Sequence, residues 1–142
     1  DYARVHAMKR AFPQLHLSLN GGITTLAEAE AHLAAGLDGV MIGRAAYHTP
    51  AEILLAADRD IFGLTTELKR AEEVAQAMLP YIEAHLAAGG RLQQVTRHML
   101  GLFAGRPGAR GWKRHLSEQA HREGAGVQVV EQALAEVTQR AA

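Results

Sequence analysis

Two glycine-punctuated turns constrain this chain more than any other feature. Asn20-Gly21-Gly22-Ile23 and Gly39-Val40-Met41-Ile42-Gly43-Arg44 each close a short apolar run, and a helical pattern follows each. Leu15-His16-Leu17-Ser18-Leu19 alternates apolar and polar residues and reads as a strand, and Asp38-Gly39-Val40-Met41-Ile42 reads as a second. Between them, Thr25 as N-cap and Glu28 three residues on make a capping box; the helix they open runs through Ala29 and Leu33 to Gly36. Pro50 opens another helix, to about Ala57, and upstream Val5, Met8 and Phe12 recur at helical spacing until Pro13 stops them. Strand, helix, strand, helix with short links is parallel βαβ construction, in which a helix carries the crossover.

In (β/α)8 barrels the loops after the last two strands often bind a phosphate group. A phosphate needs several converging N–H donors, and glycines let the backbone come close to it. The helix starting near Thr25 is expected to add unpaired N–H groups, and Arg44 a permanent charge with a fork suited to phosphate. A glycine pair alone equally suits a simple turn; two such turns on successive βα units favour the phosphate site. The Asn20 amide suits a flavin, its ribityl chain, or its own turn. Two strands cannot close a barrel, so the missing strands are expected outside these residues.

After Gly63 the pattern becomes helical throughout. Residues 66–88 form one long helical pattern, which Pro80 is expected to kink. Residues 91–104 form a second, with Leu92, Val95, Met99, Leu102 and Phe103 as one stripe. Residues 109–123 and 127–140 form a third and a fourth. The predicted fold class is α/β plus all-α: the last two βα units of a (β/α)8 TIM barrel over residues 1–62, then a helical bundle over residues 65–142.

Formal net charge is zero, but residues 91–122 hold seven bases (Arg91, Arg97, Arg106, Arg110, Lys113, Arg114, Arg122) and one acid, Glu118. Arg110, Lys113 and Arg114 share a helix face, a pattern that suits nucleic-acid phosphates as well as a solvated surface. Trp112, with Leu116 at i+4, reads as core rather than as a stacking platform. The eight histidines are scattered; His48 reads as a loop residue just past the second turn, and His98 and His115 flank basic positions. The chain has no cysteine, so it holds no disulfide, thiolate metal site or cysteine nucleophile, and no other residues take metal-ligand spacing. No apolar stretch is long enough to span a bilayer, so no membrane partner is expected. No nucleophile–base pair stands out, so any chemistry is expected from a bound cofactor or from residues outside this chain.

These residues resemble the tRNA-dihydrouridine synthases. Asn20-Gly21-Gly22-Ile23, then Asp38 through Tyr47, then Pro50 are similar to the C-terminal barrel segment of that family. Thr96 through Phe103, Pro107-Gly108-Ala109-Arg110, Trp112-Lys113 and Leu116-Ser117-Glu118 resemble its A branch. The resemblance implies a cytoplasmic FMN enzyme that uses NADPH to reduce the C5–C6 bond of uridines in tRNA, with a cysteine as proton donor. It puts Asn20, Gly21, Gly22, Gly43 and Arg44 on FMN, and Arg110 and Lys113 on tRNA; the charge pattern adds Arg97, Arg106 and Arg114 as further expected tRNA contacts. With the cysteine and most of the barrel absent, the expectation is that this chain alone is inactive.

Overall fold

The computed structural model describes residues 1–65 and 67–141, the side chains of 139–141 excepted. Helix α1 (Tyr2–Ala11) leads to strand β1 (Ser18–Asn20), helix α2 (Leu26–Ala34) and strand β2 (Gly39–Met41). The short α3 (Arg44–His48) and α4 (Pro50–Asp60) follow, then α5 (Ala71–Ala77), α6 (Leu79–Ala87), α7 (Leu92–Thr96), α8 (Ala109–Gln119) and α9 (Val127–Ala141). The chain is mostly helical, with one small sheet: β1 pairs with β2 in parallel, Ser18 opposite Gly39, Leu19 opposite Val40 and Asn20 opposite Met41.

The capping box forms as its sequence dictates. The Thr25 hydroxyl accepts from the Glu28 N–H at 3.2 Å, and the Glu28 carboxylate accepts from the Thr25 N–H at 3.1 Å. In α1, Val5 is half-buried, but Met8 and Phe12 lie about half exposed, because nothing among the described residues covers that face.

The predicted helix over 66–88 is two helices that meet at Met78. Pro80 has no N–H to bond back to Gln76, and it sits in the first turn of α6, where that loss costs least. The first helix starts at Ala71, with the Glu73 carboxylate accepting from the Arg70 N–H at 2.7 Å. Residues 67–70 carry no regular structure, and Thr66 lies outside the described residues. Only residues 92–96 of the predicted 91–104 helix are α-helical. Beyond them the chain winds through three-residue turns: Met99 N–H to Thr96 carbonyl, Leu102 to Met99, Arg106 to Phe103. All five residues of the predicted stripe are nonetheless buried.

Two apolar clusters hold the chain. The smaller joins Leu19, Ile23, Ala29 and Leu37, with Val40, Ile42 and Ile61 against it. The larger is built by α5 to α9 around Trp112, Phe103, Ile82 and Val137, all fully buried. Trp112 meets Phe103 edge-on at 4.9 Å, and its indole N–H donates to the Met99 carbonyl at 3.0 Å. That settles Trp112 as core.

One ion pair closes the larger cluster. The Arg106 guanidinium forks onto Glu72 at 2.5 and 3.2 Å, and Glu72 is only 9% exposed. The Arg106 hydrogen bonds hold the Glu72 carboxyl below the usual carboxylate range, against the opposing effect of burial. Because the folded-state value is the lower one, the pair's stabilisation is complete above the unfolded value, about pH 4.3, and is lost as pH falls through the folded one. Glu72→Gln is expected to cost about 1–2 kcal/mol at pH 7, less than a fully buried pair because the Arg106 side chain is 39% exposed. Urea denaturation across pH should show the gap between wild type and variant closing only in acid.

Candidate functional site

Parallel pairing delivers both glycine turns to one edge of the sheet. There they frame an open cavity of about 600 Å³ whose lining includes Asn20, Gly21, Gly22, Gly43 and Arg44, together with His48. The five residues come from two loops about twenty positions apart, and the register of β1 on β2 makes them neighbours. His48 ends α3 and does face this cavity.

The first turn is held from outside. The Tyr2 hydroxyl donates to the Gly21 carbonyl at 2.6 Å. Carbonyl and N–H point opposite ways across a trans peptide, so pinning the Gly21 carbonyl aims the Gly22 N–H away from Tyr2. The N–H groups of Gly22 and Ile23, beyond the strand ladder, meet no acceptor among the described residues. Arg44 is exposed and makes no ion pair among them. An oxyanion such as a phosphate dianion suits this set of donors.

Helix α2 contributes less than its sequence suggests. Glu28 Oε2 accepts from the Thr24 N–H at 2.7 Å, the Thr24 hydroxyl at 3.1 Å and the Thr25 N–H at 3.1 Å. The Thr24 backbone bond is the largest of the effects that hold the Glu28 carboxyl below its ordinary range. The Thr24, Thr25 and Glu28 N–H groups are thus spent on the helix's own cap, and a carboxylate sits at its positive end. The loop amides and Arg44 remain for an anion.

A second cavity, of about 370 Å³, opens between α3, the turns after α7, and α8. Tyr47, His48, Arg97 and Lys113 are among its walls, so His48 borders both cavities. Gly101 lets the turns press onto α3, since a Cβ there would collide with the His48 carbonyl. The basic run therefore splits. Arg97 and Lys113 reach this cavity, while Arg110 and Arg114 lie exposed on α8. Arg106 is occupied by Glu72. Arg91 and Arg122 line a separate cavity of about 700 Å³, beside Glu123. His115 turns inward, and its Nε2 is buried with no partner among the described residues, so it does not join the basic surface.

Tyr2 and Tyr47 escaped the sequence reading. Their partners lie 19 and 51 residues away, beyond the reach of any local spacing.

Residues 1–139 match the family described as dihydrouridine synthase (Dus). The chain belongs to the dihydrouridine synthase family. Among its dihydrouridine synthase relatives, the tRNA-dihydrouridine(20/20a) synthase of Shewanella oneidensis is 54% identical over 137 residues, which cover 96% of this chain and 40% of the relative. The enzymes of the same description from Vibrio cholerae and Salmonella typhimurium are 53% and 56% identical, over 96% and 94% of this chain and 41% and 40% of theirs. The chain thus spans about two fifths of the length of these relatives. In this member of the Dus family, no described helix is long and apolar enough to cross a membrane.

Within the first turn, Gly22 leaves no room for a side chain. Gly22 has φ +77°, and a Cβ there would stand 2.8 Å from the Tyr2 hydroxyl. Gly22→Ala is expected to destabilise the protein by about 1–2 kcal/mol through strain and the displaced hydroxyl. Tyr2→Phe, which removes the hydrogen bond alone, should cost about 1 kcal/mol. Urea denaturation midpoints of the two variants check the order.

Proposed function

We propose that this chain is the C-terminal portion of an FMN-dependent tRNA-dihydrouridine synthase of the A branch, an oxidoreductase of the cytoplasm that draws on NADPH. Its substrates are the tRNA uridines 20 and 20a that the relatives' descriptions name. Residues 1–62 supply the last two βα units of the flavin-binding barrel, and residues 65–142 the helical tRNA-binding domain. The observation that carries the reading is the shared wall at His48: a cavity with the donor chemistry of a phosphate site adjoins one lined by Arg97 and Lys113. An enzyme that must bring a nucleotide of RNA to a phosphate-bearing cofactor needs these two surfaces side by side.

Arg44 and the loop amides of Gly21 and Gly22 would hold the FMN phosphate, with Gly43 keeping the second turn close and Asn20 at the cavity wall. When bound, FMN supplies hydride transfer between NADPH and the uracil C5–C6 bond. The residues of this chain bind and orient; no cysteine occurs among its 142 residues, so a proton-donating cysteine lies outside them. Arg110, Lys113, Arg97 and Arg114 would hold tRNA phosphates, whereas Arg106 serves the fold through Glu72. The unpaired outer edges of the two-stranded sheet, and the exposure of Met41 and Phe62 (57% and 70%), support further barrel elements against this part.

Arg44→Ala in the full-length enzyme is expected to weaken FMN about 10–100-fold, the range of a charge-assisted contact, and to leave riboflavin, which lacks the phosphate, nearly unaffected. Equal losses for both would remove Arg44 from the phosphate. For tRNA, the logarithm of affinity should fall linearly with the logarithm of salt concentration. The double variant Arg110→Ala, Lys113→Ala should reduce that slope by about two. Salt-dependent tRNA binding without any FMN binding would instead favour a helical RNA-binding module.

A further inference from the structure

The cavity between α3, the turns after α7 and α8 contains a hydrogen-bond chain with a fixed direction. Arg97 Nε–H donates to His98 Nε2 at 2.9 Å. A guanidinium has no acceptor, so Nε2 is the unprotonated nitrogen of the ring and the imidazole proton is on Nδ1. Nδ1–H in turn donates to the Tyr47 hydroxyl oxygen at 3.0 Å. The Tyr47 hydroxyl hydrogen is left over, and it meets no acceptor among the described residues. The four further N–H bonds of Arg97 also meet no acceptor among the described residues.

The remaining lining completes a pattern. Lys113 and Ser117 add an ammonium and a hydroxyl, Leu100 adds apolar surface, and neither Asp nor Glu is among the residues that line the cavity. A site of donors without a carboxylate selects an anion with several oxygens, and the apolar contribution suits a sugar beside it. About 370 Å³ holds a sugar–phosphate unit rather than a duplex.

We propose that this cavity is a phosphodiester subsite that grips one nucleotide of the RNA strand beside the cofactor held at the glycine turns. Tyr47 and Ser117 donate to the phosphate oxygens, Arg97 and Lys113 supply the charge, and His98 is a positioning residue that turns the Tyr47 hydroxyl outward. The adjacency follows from His48, which borders both cavities, so RNA gripped in one lies beside the cofactor held in the other. The inference rests on the reading of the chain as part of a tRNA-modifying enzyme.

The test uses the full-length enzyme loaded with FMN, with tRNA affinity measured across salt concentrations and FMN and NADPH affinities measured alongside. Tyr47→Phe removes a neutral donor, so tRNA affinity is expected to fall about 3–10-fold at every salt concentration with the salt slope unchanged. Arg97→Gln removes a charge and should lower the slope by about 0.7–0.9. Wild-type tRNA affinity in Tyr47→Phe, while Lys113→Ala still lowers the slope, overturns the subsite and leaves the tRNA reading standing. If Arg110→Ala and Lys113→Ala also leave tRNA binding untouched, the tRNA reading fails, and the subsite with it. A Tyr47→Phe loss that is equal for FMN and tRNA overturns the proposal in favour of a packing role for α3. A loss confined to NADPH overturns it in favour of a site for that cofactor's phosphate.

Discussion

Parallel pairing obliges two strands to end at the same edge, and the arrangement of the first cavity descends from that constraint. With Asn20 opposite Met41, the turns that follow are neighbours, and Arg44 faces the same space as Gly21 and Gly22. A slip of one residue would move side chains to the other face of the sheet and separate the donors. Leu19 is buried and its cluster fixes the register, so the apolar residues beneath the sheet also determine which loop amides face each other.

The second cavity depends on a different anchor. Trp112 lies inside the helical part, and its indole N–H reaches the Met99 carbonyl within the turns after α7. Those turns carry Arg97 and His98 on their outer side and bury Met99, Leu102 and Phe103 on the inner one. One buried ring therefore ties α8, which bears Lys113, to the segment that bears Arg97. The charges that line the cavity are set by an apolar contact behind it.

How much could be read in advance followed from how local each cause is. Thr25 and Glu28 are three residues apart, and their reciprocal bonds formed as expected. The same bonds take up part of the donors that the α2 terminus offers, because Glu28 also reaches the Thr24 N–H and hydroxyl. Leu92, Val95, Met99 and Leu102 recur at steps of three and four, which both α-helix and tighter turns satisfy; the burial was legible and the winding was not. The fate of Arg106 was invisible, since Glu72 lies 34 residues upstream. The mostly helical make-up and the parallel strand pair were the more legible part, and the roles of Tyr2 and Tyr47 were the least, because each acts on a segment distant in sequence.

Helix α4 is shared between the two apolar clusters. Ala51 and Leu55 pack against the larger cluster, and Ile61, just past its end, against the smaller. The sheet and the helical part therefore have a structural member in common rather than a slack tether. Opening either one withdraws support from α4, so the two halves are coupled through a rod of eleven residues as well as through the contacts of α3 with the turns after α7. A division of the chain near residue 63 thus falls between elements that pack on a shared helix.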